Sequence, residues 1–125
     1  INYIEFYILN YDNVKVNSYF KKAHKLVNVF EDAESILKHI KARIYMKENK
    51  FYLVKNYLDD AQNYFKKNHS YSRLHRVYIT YSELYYKLSD YNKSLSYCDS
   101  CYNYFKMNGE NIKLLEILII YSNNY

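Results

Sequence analysis

Cys98-Asp99-Ser100-Cys101 is a C-x-x-C, the spacing at which two thiols can form a redox pair or supply half of a zinc site. A redox pair needs its first cysteine at a helix N-terminus after a strand, where the dipole lowers the thiol pKa. Here both cysteines fall within a helical pattern, on its apolar stripe. A structural zinc site needs two further ligands, and the chain has neither a second C-x-x-C nor a close histidine pair. His24, His39, His69 and His75 are scattered and lack the i, i+4 spacing that puts two ligands on one helix face. The only glycine is Gly109, so no glycine-rich phosphate loop is possible, and Asp59-Asp60 falls on the polar side of its helix. These residues predict packed thiols, no metal, no cofactor and no catalytic centre. The chain is expected not to be an enzyme.

The elements that position these residues repeat. Residues 45–85 laid over residues 85–125 at an offset of forty coincide at fourteen positions, among them Tyr45/Tyr85, Tyr57/Tyr97, Asp59/Asp99, Phe65/Phe105, Ile79/Ile119 and Tyr81/Tyr121. A period of this length marks stacked supersecondary units that cannot bury their apolar faces alone. Apolar residues recur at helical spacing: Val54, Tyr57, Leu58, Ala61, Tyr64, Phe65, then Leu74, Val77, Tyr78, Tyr81, Leu84, Tyr85. The pattern predicts helices over about 1–10, 13–30, 33–48, 51–67, 71–88, 91–107 and 111–125, with polar boundaries such as Ser89-Asp90 and Asn108-Gly109-Glu110-Asn111. About seven helices in antiparallel pairs with short connectors make an all-α solenoid in one domain, 1–125.

Composition agrees. The 125 residues hold no proline, and 19 tyrosines with 6 phenylalanines supply most of the packing material. No window of eighteen apolar residues occurs, so no membrane partner is expected, and two cysteines without a disulfide framework suit a soluble cytoplasmic protein. The net charge of +5 comes from 18 basic and 13 acidic residues mixed along the whole chain, not from the clustered footprint that direct nucleic-acid contact requires.

The unit resembles a tetratricopeptide repeat, helix A followed by an antiparallel helix B. Its best copy runs from Tyr78 to Phe105. Tyr81, Ser82 and Tyr85 stand where that family puts a large, a small and an aromatic residue in helix A; Asp90-Tyr91 matches its helix turn; Ser94, Cys98 and Cys101 take the small, aromatic and small positions of helix B. The period of forty departs from the family's thirty-four, and the proline after helix B is missing. The resemblance implies a right-handed solenoid with Tyr81, Tyr85 and Tyr91 in the core. Long Tyr-rich repeats in a proline-free chain are also similar to the repeat domain of the Gram-positive peptide-pheromone sensors, the Rap/PlcR/Rgg-type family. That likeness implies a sensor module of a transcriptional regulator that binds a peptide on its concave face.

In the tetratricopeptide register, helix-A residues opposite the core stripe face the groove. The expected peptide-binding set is His39, Arg43, Lys47, Arg76, Thr80, Glu83, Lys87 and Asn123, with Ile79, Glu116 and Ile119 on the same face. Its cations would pair with peptide carboxylates and Asn123 would reach the peptide backbone. The rival expectation is a scaffold that self-associates. Leu114, Leu115, Ile117, Leu118, Ile119 and Ile120 make the last helix apolar all round, so a further helix or a second copy is expected over it, through Leu115, Leu118 and Ile120. The apolar pattern at Ile1 and the half-complete last unit read as a piece of a longer chain.

Overall fold

The computed structural model describes residues 32–124 together with Ser18 and Lys22. The helices expected over 1–10 and 13–30 lie outside the described residues, apart from Ser18 and Lys22, which are helical. Five α-helices follow: α1 Ala33–Lys47, α2 Phe51–Lys67, α3 Tyr71–Lys87, α4 Tyr91–Met107 and α5 Asn111–Asn124. Among the described residues there is no strand. The apolar period therefore located each of these five helices to within a residue of its observed ends.

The connectors reveal a finer regularity. Asn49, His69, Ser89 and Gly109, spaced twenty residues apart, all have φ between 56° and 69°. Each terminates a helix in the same way. At the first, Asn49 N–H donates to the Met46 carbonyl at 3.1 Å and Lys50 N–H to the Tyr45 carbonyl at 3.0 Å. The pair repeats as His69/Ser70, Ser89/Asp90 and Gly109/Glu110. This is the Schellman arrangement, which satisfies the last free carbonyls by turning one residue left-handed. Glycine does so without strain, whereas serine carries a cost of about 1 kcal/mol. Ser89→Gly is thus expected to stabilise the protein by about 0.5–1 kcal/mol in urea unfolding, and Gly109→Ala to cost a similar amount. A Cβ at Gly109 would meet nothing within 4 Å, so that cost is in the backbone alone.

The chain divides into two compact units, Ile1–Tyr64 and Phe65–Tyr125, with the boundary inside α2. In the first, α1 and α2 run antiparallel: Tyr45 stacks on Tyr57 with centroids 5.6 Å apart, Lys41 lies 5.3 Å over the Tyr57 ring, and Lys38 pairs with Asp60 at 3.5 Å. Ile36, Leu37, Ile40, Ala42, Val54, Leu58 and Ala61 are buried.

In the second unit, α4 lies antiparallel to both α3 and α5. Tyr97 of α4 stacks on Tyr81 at 4.9 Å and on Tyr85 at 5.8 Å, and His75 stacks flat on Tyr104 at 4.0 Å. The Tyr85–Tyr97 stack is the Tyr45–Tyr57 stack forty residues on, so the sequence period recurs as a repeated contact. Ile79, Cys98, Cys101, Phe105, Ile117 and Ile120 form the core cluster. Polar groups thread through it: Ser94 Oγ donates to the Ser82 carbonyl at 2.8 Å, and Asn124 Nδ2 donates to Ser94 Oγ at 3.1 Å. The small residues at 82 and 94 let the backbones of α3 and α4 approach closely enough for that bond. Tyr81 is in the core as expected and Tyr85 is half-buried, but Tyr91 is exposed. It opens α4, beyond the reach of the stripe, and its ring lies tilted against that of Tyr86, with centroids 5.8 Å apart.

Candidate binding cleft

Because α4 lies against both α3 and α5 in antiparallel fashion, the two flanking helices run parallel, and a cleft opens between them. Glu83, Tyr86 and Lys87 line it from α3; Glu116, Ile119, Ile120 and Asn123 line it from α5. Its volume is about 260 Å³. Each helix contributes residues three or four apart, the spacing that keeps side chains on one face. Ile119, Ile120 and the Tyr86 ring give apolar surface. Glu83, Glu116, Lys87 and Asn123 supply charge and hydrogen-bonding capacity beside it. The cleft thus sets apolar surface directly beside charged and hydrogen-bonding groups.

Of the eight residues expected to bind a peptide, the cleft brings together Glu83, Lys87 and Asn123. Glu116 and Ile119 join them, as the register predicts. His39, Arg43 and Lys47 lie on α1, in the first unit. Arg76 does not line the cleft; its guanidinium is 3.9 Å from the Glu110 carboxylate. Thr80 is a correction. It is buried, with its hydroxyl 3.5 Å from the Arg76 carbonyl, one helical turn back. Its β-branched side chain fills space inside the unit instead of presenting a hydroxyl to a ligand. The cleft also has the opposite charge balance to the one expected: two carboxylates, one of them 3.5 Å from Lys113, against a single lysine lining it. Tyr86 was missed, although it lies three residues beyond Glu83, close enough in helical spacing for the face to have included it.

The expected self-association set also divides. Leu115 and Leu118 are exposed, whereas Ile120 is buried beside Ile117 in the core. An apolar helix read from sequence alone does not reveal which side is covered. Here α4 covers the side of Ile117 and Ile120.

Cys98 and Cys101 are free, and both have no exposed surface. Burial pushes the Cys101 thiol up to about 12 and raises that of Cys98 as well. A thiol so placed is a poor nucleophile, because the thiolate is the reactive form. Burial, followed by the bond to Asp99, raises the Tyr121 phenol too. Each of these groups is neutral when protonated, and its folded pKa lies above the unfolded one. Their contribution to stability is complete below about pH 9, where the unfolded cysteines titrate, and is lost as pH rises towards 12. Urea midpoints measured between about pH 8 and pH 10.5 are expected to fall, and the thiols to react with a disulfide reagent only as the chain unfolds.

Among the described residues, no group of three or more His, Cys, Asp or Glu side chains is arranged to hold a metal ion, and no helix is long and apolar enough to cross a membrane. No protein-family model, curated protein or solved structure matches the chain.

Proposed function

We propose that this chain is a non-enzymatic, tetratricopeptide-like repeat module, a right-handed α-solenoid, that binds a peptide or an extended protein segment in the cleft between α3 and α5. The observation that carries this reading is the cleft itself: two parallel helices of the same repeat position, Glu83 and Asn123 forty residues apart on them, and an apolar floor between. Asn123 offers both an N–H donor and a carbonyl acceptor to a peptide backbone. Ile119 and Tyr86 would receive an apolar side chain, and the carboxylates of Glu83 and Glu116 favour a segment carrying a basic residue. The Tyr-rich, proline-free repeat supports the further reading that the module is the cytoplasmic sensor of a bacterial transcriptional regulator, needing no cofactor. Occupation of the cleft would then shift the relative placement of α3 and α5 and bias an attached domain.

Titration calorimetry against a short-peptide library tests the reading. Peptides that bind are expected to lose roughly tenfold or more in affinity with Asn123→Ala or Glu83→Lys. Unchanged affinity in both variants would move the site elsewhere. A second reading, a scaffold that self-associates through α5 with the cleft idle, is favoured by the exposed Leu115 and Leu118 and weakened by the burial of Ile120. It predicts a concentration-dependent dimer in sedimentation velocity and no peptide affinity.

A further inference from the structure

Asn108-Gly109 is the single asparagine-glycine pair in the chain; every other asparagine precedes a residue with a side chain. The pair carries its own reaction. Once its proton is lost, the Gly109 backbone nitrogen can attack Cγ of Asn108: the N–Cγ bond forms, the Cγ–Nδ2 bond breaks, and the side-chain nitrogen leaves as ammonia. Water then opens the five-membered imide at either carbonyl. One opening gives aspartate, and the other gives isoaspartate, in which the main chain runs through the side-chain carbons. A side chain on the following residue obstructs the attack, and glycine presents none. The space around Gly109 is open, with nothing within 4 Å of where a Cβ would stand, and both residues are exposed to the water that the reaction consumes.

The fold holds the pair in a conformation that does not react. Asn108 closes α4 with ψ at 2°, which turns the Gly109 nitrogen away from Cγ, so ring closure requires rotation about the Asn108 Cα–C bond. The cap opposes that rotation. Gly109 N–H donates to the Lys106 carbonyl at 3.3 Å and Glu110 N–H to the Phe105 carbonyl at 3.0 Å. The nitrogen that the reaction expels, Asn108 Nδ2, donates to the Tyr104 carbonyl at 2.7 Å. We propose that Asn108 is a self-modification site of this chain: it deamidates when the α4 cap opens locally, and the product cannot rebuild that cap. An aspartate carboxylate has no hydrogen to donate to Tyr104 and adds negative charge where the α4 carbonyls already gather it. Isoaspartate lengthens the main chain by one carbon, so the Gly109 and Glu110 N–H groups no longer reach Lys106 and Phe105 together. The modification therefore acts on the connector that joins α4 to α5. The cap forty residues earlier is an internal control: Asn68-His69 has the same left-handed backbone, with φ of His69 at 56°, and an imidazole in place of the open glycine.

The test incubates the whole chain at mildly alkaline pH, folded or unfolded in guanidinium chloride, and digests it with trypsin. The fragment Met107–Lys113 carries Asn108 with Asn111 beside it. Mass spectrometry is expected to find aspartate and isoaspartate at Asn108 ahead of Asn111 and Asn68, forming roughly tenfold or more slowly in the folded chain than in the unfolded one. Phe105→Ala loosens the end of α4 without touching the pair and should speed the reaction roughly tenfold under folding conditions. Gly109→Ala should suppress it in guanidinium chloride, where the fold plays no part. Asn108→Asp, a stand-in for one product, should raise the unfolding constant roughly threefold or more. Absence of modification at Asn108 in the unfolded chain would overturn the site. Equal rates folded and unfolded, or no acceleration by Phe105→Ala, would overturn control by the cap, and an Asn108→Asp variant of unchanged stability would overturn the loss of the cap in the product.

Discussion

Phe105→Ala is expected to lower the stability of the second unit by about 3–5 kcal/mol, read as a drop in the urea midpoint with little change in slope. Phe105 has no exposed surface and shares its cluster with Ile79 of α3 and Ile117 and Ile120 of α5, so its ring joins all three helices. Removing it loses the transfer free energy of the ring and leaves a cavity. The cavity cannot collapse readily, because the helices on either side are also held by the Ser94–Ser82 and Asn124–Ser94 hydrogen bonds and by the Tyr97 stacks. A loss below about 1 kcal/mol would mean that α4 is not packed between its neighbours as described.

Ile120→Asp and Leu118→Asp should differ sharply despite being two residues apart. Ile120 is 6 % exposed and shares its cluster with Cys98, Cys101 and Phe105, so a carboxylate there would be buried against apolar side chains, at a cost of several kcal/mol or outright unfolding of the unit. Leu118 lies on the open face, and aspartate there is expected to change stability by no more than about 1 kcal/mol. Thermal melts of the two variants, followed by circular dichroism, check the contrast. Equal melting temperatures would place the covered side of α5 elsewhere.

The pair also illustrates which features the sequence carries. A helical stripe and a period of forty depend on residue type and spacing, so α1 to α5 could be located from them. The side of α5 that is covered depends on where α4 lies, and a helix with leucine or isoleucine on every side carries no marker for it. The same ambiguity hid the burial of Thr80, whose hydroxyl reads as polar although the residue fills space as valine would. Arg76 reads as a groove cation until Glu110, from the next connector, comes within ion-pair reach. The twenty-residue spacing of the left-handed caps is not legible in the sequence, because asparagine, histidine, serine and glycine share no chemical type. They share only a backbone conformation, tolerated by the first three and free of strain in the last. Cys98 and Cys101, by contrast, fall on the apolar stripe by spacing alone, and their burial follows from the same spacing.

The most direct measurement is amide chemical-shift mapping of the whole chain by NMR during titration with a peptide selected from the library. The largest shifts are expected at Glu83, Tyr86, Lys87, Ile119 and Asn123, with the α1 residues Arg43 and Lys47 moving less. Shifts centred on Arg43 and Lys47, or absent from both helices of the cleft, would contradict it.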